Sequence, residues 1–194
     1  MSSQDNNVNN EDTINLVKKF IASNQRKRRN LVNDIELSSE SLFDVGEEII
    51  KFVDRDGDDW SIGWILQVLK KYKPNFFDKD KDNYDKWFYM KSEIDLKYDD
   101  LQLNLLKQNF EEADRLTSAY LRKLAGKVAE NRGYVFYSEV KDMPGEDLVT
   151  IDRLWNIYSQ GKFGFSNQAK LLKSVGKRYD LLWPKIGWKK DGIW

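Results

Sequence analysis

The sequence contains neither cysteine nor histidine, and proline accounts for only 3 of its 194 residues. Without cysteine there is no disulfide framework and no thiolate metal site. Without histidine the usual general base and the commonest transition-metal ligand are missing. A serine or cysteine nucleophile activated by histidine is therefore excluded, which points to a non-catalytic protein. No apolar run reaches the roughly 20 residues needed to span a bilayer, so any membrane association is expected to be peripheral. An excess of one charge is absent as well. Thirty-two basic residues face 32 acidic ones, which argues against a nucleic-acid binder.

Aromatic residues are plentiful, at 13% of the chain with seven Trp, and they mark a folded protein. The charge is also uneven. Residues 162–194 carry eight basic and two acidic side chains, so the preceding 161 residues are net acidic by the same amount. A basic end on a neutral protein suits a small anionic ligand or an acidic patch on a partner. A solvated surface accounts equally well for each lysine taken singly. Residues 1–12 are acidic, lack arginine and do not look like a signal or transit peptide; they are read as a disordered tail. Lys outnumbers Arg 23 to 9 and Asn reaches 15, a bias that suits an AT-rich genome such as a plastid's.

Periodicity predicts an all-α fold in two parts: a helical bundle over 13–74, a linker over 75–100, and a second helical domain over 101–194. Ile14, Val17, Phe20 and Ile21 lie at helical spacing, ending before the basic run Arg26–Arg29. Ser41 with Asp44 resembles a cap, after which Leu42, Val45, Ile49 and Val53 share a face. Ile62, Ile65, Leu66 and Leu69 predict a third helix, stopped by Pro74. In the second part, Asn109 with Glu112 resembles a capping box ahead of Ala113, Leu116, Tyr120 and Leu124. Gly126 is a natural stop. A helix over Asp147–Ser159 should bury Leu148, Ile151, Trp155 and Tyr158, and Ser166 should cap another carrying Leu172 and Val175. Tyr134–Val140 is the longest strand-like alternation.

Two acidic runs fail as calcium loops. Asp78, Asp80 and Asp82 fit the first ligand positions, but Asn83 stands where glycine must turn the chain and Tyr89 where a bidentate Glu is needed. Asp54–Asp58 places Gly57 too early. The glycines around Gly161 and Gly164 lack the spacing and Lys-Ser/Thr ending of a phosphate loop. Turn chemistry is the simpler account of all three.

The most distinctive stretch runs from Glu146 to Trp188. Its elements are Asp147-Leu148, Thr150-Ile151-Asp152, Leu154-Trp155, Tyr158-Ser159, Gly161, Phe163 to Ser166, Gln168, Ser174, Gly176 and Trp183 to Trp188. In this order they resemble the signature of the genomes-uncoupled-four family of porphyrin-binding stimulators of magnesium chelatase. The resemblance reaches more weakly back to Asn109. It implies a cupped helical domain that offers a greasy concave surface to protoporphyrin IX or magnesium protoporphyrin IX, with no cofactor and no chemistry of its own. The partner it implies is the large porphyrin-binding subunit of magnesium chelatase, in the chloroplast stroma of a plastid or a cyanobacterial cytoplasm. Members usually continue for several dozen residues past the position of Trp194, so a shorter chain implies a more open site.

A porphyrin is a flat apolar disc with two propionates, so it needs aromatic walls and cations at one edge. Apolar groups on irregular segments are best placed for the walls: Met143, Phe163, Phe165, Trp188 and Trp194, and ahead of them Tyr137 and Val140, since the resemblance implies that their segment helps line the concave surface. Arg132, Lys185, Lys189 and Lys190 are expected at the edge. Trp155 is expected in the core with Leu148 and Ile151. The rival readings are a helical protein-interaction module without porphyrin binding and, more remotely, a carboxylate enzyme built on Glu146, Asp147 and Asp152.

Overall fold

A computed structural model of the chain describes residues 3–51, 53–73 and 88–186, and the fold is all-α. Among the described residues, five helices make the N-terminal region: α1 (Ser3–Ala22), α2 (Gln25–Leu37), α3 (Ser39–Asp44), α4 (Gly46–Ile50) and α5 (Trp60–Tyr72). Six follow: α6 (Asp99–Leu106), α7 (Phe110–Leu124), α8 (Lys127–Arg132), α9 (Gly145–Tyr158), α10 (Phe165–Ser174) and α11 (Tyr179–Lys185). A 3-10 turn over Tyr137–Asp142 stands where the alternation suggested a strand. The described stretch of the expected tail is helical from Ser3 onward.

The first helix ends at Ala22, before the basic run Arg26–Arg29 as expected, and the run itself opens α2, behind an Asn24 cap whose side chain accepts from the Lys27 amide. Helical spacing turns Arg28 inward. Its guanidinium donates to the Phe20 and Ile21 carbonyls and to both carboxylate oxygens of Asp59, the nearer at 2.6 Å. Asp59 also caps α5 through the Ser61 amide. One arginine thus joins the end of α1, the start of α2 and the start of α5.

The helix α5 is buried on every side from Trp60 to Leu69, which marks a central core helix rather than a surface one. Each of Ile65, Leu66 and Leu69 contributes roughly 1.5–3 kcal/mol by leaving water. Gly63 lets α5 cross α9 closely, since a Cβ there would stand 2.4 Å from the Ile157 carbonyl oxygen. The Gln67 amide donates to the carbonyls of Leu105 and Tyr158, which ties α5 to α6 and α9. One hydrophobic cluster therefore runs from Val17 to Tyr158, and the two expected parts share a core.

Residues 88–98 are likewise fastened to α9. The carboxylate of the fully buried Asp147 accepts from the Tyr98 hydroxyl at 2.6 Å and the Glu93 amide at 2.9 Å. Thr150 donates to the Lys91 carbonyl. Burial, and then the hydrogen bond to Asp147, pushes the Tyr98 phenol well above its ordinary range. Half of the expected linker, residues 75–87, lies outside the described residues, as do Asp78, Asp80 and Asp82.

Several local expectations change for identifiable reasons. Asn109 precedes α7 without a side-chain cap, because Glu112 is held by Arg115 instead. Ser166 sits inside α10, and Gly164 takes the cap position. Asp54 forms a turn with the Asp56 and Gly57 amides, and no group of acidic residues suited to a metal occurs among the described residues. No helix of the described residues is long and apolar enough to cross a membrane.

Candidate functional site

A cleft of about 490 Å³ opens between α7, α9, α10 and the end of α11. Phe110 and Thr117 enter from α7, Trp155 from α9, Phe163 from the α9–α10 loop, Phe165 and Leu171 from α10, and Ile186 from the end of α11. Phe110 and Trp155 stack with ring centroids 6.0 Å apart and planes 23° apart, and Phe163 meets both edge-on at 5.8 and 5.9 Å. Trp155 is only half-buried because its ring faces this space. It packs against the core cluster, as its helical spacing suggested, and it also lines the cleft, which that spacing did not reveal.

The backbone holds these rings in place. The Trp155 indole donates to Thr117 Oγ1 at 2.9 Å, and Thr117 donates to the Ala113 carbonyl. The loop that carries Phe163 turns on Ser159, whose hydroxyl oxygen accepts from the Lys162 and Phe163 amides. Gly161 and Gly164 both have positive φ, of 70° and 115°, a conformation that side chains with a Cβ rarely adopt. Gly164 also lies against Asp152, where a Cβ would stand 2.5 Å from the carboxylate oxygen that accepts the Ser166 amide.

Two cations, Lys162 and Lys185, line the cleft, and the carboxylate of Asp114 faces them from α7. All three are exposed. The site is apolar at its base and charged around its rim, which suits a flat apolar molecule carrying acidic groups.

Of the residues expected from sequence, the structure brings Phe163, Phe165 and Lys185 together here. Tyr137 and Val140 lie instead on the 3-10 turn, the tyrosine 95% exposed. Met143 is buried in the core cluster and offers no wall. Arg132 lies away from the cleft, paired with Glu139 at 2.6 Å and stacked over the Tyr134 and Phe136 rings. Trp188, Trp194, Lys189 and Lys190 fall outside the described residues. Sequence reasoning missed Phe110, Thr117, Lys162 and Leu171. A signal existed for the first two, since Phe110, Asp114 and Thr117 recur at helical spacing on one face of α7.

Residues 91–194 match the GUN4-like family. The chain belongs to the GUN4-like family. It is 42% identical over 104 residues to the ycf53 protein of Porphyra purpurea, covering 54% of this chain and 44% of that one. The Ycf53-like protein of Synechocystis is 43% identical over 107 residues, covering 55% and 46%. A protein of Arabidopsis thaliana named "Tetrapyrrole-binding protein, chloroplastic" is 43% identical over 93 residues, covering 48% of this chain and 35% of its own. The chain thus spans less than half the length of these relatives. The GUN4 structure from Chlamydomonas reinhardtii superimposes with a TM-score of 0.51 at 34% identity, over 53% of this chain and 68% of that one. Every residue lining the cleft lies within the GUN4-like region, whereas α1–α5 precede it.

Proposed function

We propose that the cleft binds a porphyrin, protoporphyrin IX or its magnesium complex, and that the loaded protein stimulates magnesium chelatase in chlorophyll biosynthesis, in a plastid or a cyanobacterium. The observation that carries this reading is the trio Phe110, Trp155 and Phe163 around an apolar cleft with Lys162 and Lys185 at its rim. The rings would cover the macrocycle, and the two lysines would pair with its propionates. The name of the Arabidopsis relative supports the ligand class. A central magnesium ion prefers oxygen ligands, and with no histidine or cysteine in the chain only water, a carboxylate such as Asp114 or a carbonyl could supply one. Most of the affinity must then come from the disc and its propionates, so metal-free and magnesium porphyrins should bind with affinities within a hundredfold of each other.

Porphyrin titration of the full chain, followed by the Soret band and tryptophan quenching, tests the reading. Saturable binding at micromolar protein supports it, and added chelatase large subunit should then show faster magnesium insertion. A folded chain that leaves the Soret spectrum unchanged would favour the second reading, a protein-interaction module. That reading rests on the exposed side chains of Val128, Tyr134, Phe136 and Tyr137.

A further inference from the structure

We infer that the segment Asp54–Trp60, which precedes the GUN4-like region, is a working part of the ligand cleft because it positions the wall residue Phe163. The inference rests on the porphyrin reading for what the cleft binds, but not for the mechanical link itself.

Two independent lines of contact carry it. The first is a run of side-chain amides. Asn156 on α9 donates to the Asp58 carbonyl at 2.9 Å, and its own oxygen accepts from Asn167 on α10 at 3.0 Å. The same Asn167 nitrogen donates to the Phe163 carbonyl at 2.8 Å. Three hydrogen bonds therefore join the backbone ahead of α5 to the backbone of a ring that walls the cleft. Neither asparagine lines the cleft, so both are positioning residues.

The second line is packing. Trp60 is 2% exposed, and its indole edge faces Gly161, where a Cβ would stand 3.4 Å from Cδ1. The Gly161 amide is held at the same place by the Asn156 carbonyl. Behind Trp60 stand Phe20, edge-on at 5.7 Å, and the Arg28 guanidinium, 5.0 Å from the ring centre. Because Arg28 is itself fixed by Asp59 and the end of α1, the junction of α1, α2 and α5 backs the loop directly. The indole N–H of Trp60 is buried without a hydrogen-bond partner. A ring retained despite that cost is explained by its shape against Gly161 rather than by its polarity.

Trp60→Phe removes the indole nitrogen beside Gly161 and with it the unsatisfied N–H, and the cavity it leaves in the core should lower the melting temperature. Asn156→Ala cuts the amide run without touching the tryptophan. Hydrogen–deuterium exchange of the Gly161, Lys162 and Phe163 amides, in the full chain without ligand, reads the link itself. Both variants should speed exchange there by about threefold or more beyond any change at core amides far from the loop, such as those of Leu101 and Leu105. Porphyrin affinity should fall by about threefold to tenfold in each. Lys71→Ala, which breaks an exposed ion pair with Glu36 on the N-terminal helices, should move neither quantity. Unchanged exchange in both variants overturns the inference whatever the ligand does. Faster exchange with unchanged affinity overturns the claim that the segment serves the cleft. A wild-type chain that takes up no porphyrin defeats the proposed function, while the exchange comparison still decides the link.

Discussion

Two aromatic groups on this molecule look alike in composition and differ in what they can do. Phe110, Trp155 and Phe163 surround a hollow, on elements fixed by Thr117, Ser159 and Asn167. Tyr134, Phe136 and Tyr137 are exposed, at the start of a six-residue 3-10 turn and just before it. Each group has basic residues beside it. At the exposed patch Arg132 is already committed, stacked on two rings and paired with Glu139. At the cleft Lys162 and Lys185 hold no ion pair among the described residues. Ring content alone does not make a binding site. Concavity and an uncommitted charge do.

The largest expected effect is at the cleft. Trp155→Ala should cost about 1–3 kcal/mol of porphyrin binding, or about 5- to 150-fold in affinity, measured by Soret titration beside a thermal melt. Unchanged affinity in a folded variant would remove the cleft from the comparison. Next, Gly164→Ala places a methyl group 2.5 Å from an Asp152 oxygen at a φ of 115°. It should lower stability by about 1–3 kcal/mol in denaturant titration and weaken porphyrin binding along with it. Normal melting with normal binding would show that the loop before α10 is not the fixed element described above.

Acid should separate the two groups. The Glu139 carboxyl is held below its ordinary pKa first by the Phe136 amide and then by Arg132. A depressed folded pKa means that its stabilising contribution is present above the unfolded value and is lost as pH falls through the folded one. The Phe136 amide resonance should therefore shift as pH drops below about 4, while the indole N–H resonance of Trp155, whose acceptor Thr117 does not titrate, should stay in place. Simultaneous change at both would mean that they are parts of one surface. The smallest effect belongs to Tyr137→Ala, at 95% exposure: stability within about 0.5 kcal/mol of wild type and porphyrin affinity unchanged. A loss as large as that of Trp155→Ala would transfer the site to the exposed patch.

Sequence patterns went furthest where a single face decides burial. The spacing of Ala113, Leu116, Tyr120 and Leu124 located α7, because apolar periodicity records a buried stripe directly, and Ile62, Ile65, Leu66 and Leu69 located α5 without revealing that its other faces are buried too. The patterns failed where a residue's role depends on a partner far along the chain. Arg28 reads as part of a solvated basic run until Asp59 and the end of α1 surround it. Trp155 reads as core because its spacing on α9 matches that of Leu148 and Ile151, and it does pack against the core cluster, yet residues of α7 and α10 leave a cleft on its other side. The aromatic loop around Phe163 was visible in the sequence because glycine and phenylalanine are rarely interleaved without a structural reason. Its opposite wall on α7 was not singled out, since Phe110 opens an ordinary amphipathic pattern.

The all-round burial of α5 bears on how the chain comes into being. Its hydrogen bond from Gln67 to the Tyr158 carbonyl spans 91 residues, and its flattest surface, at Gly63, is made for a helix near the other end of the sequence. During synthesis at about 5–20 residues per second, α5 must wait several seconds with an unclaimed apolar surface until α9 emerges. The early helices can cover one side in the meantime, and the remaining side is an open invitation to chaperones. Folding of this protein should therefore finish late and all at once, with the cleft appearing in the same step as the core.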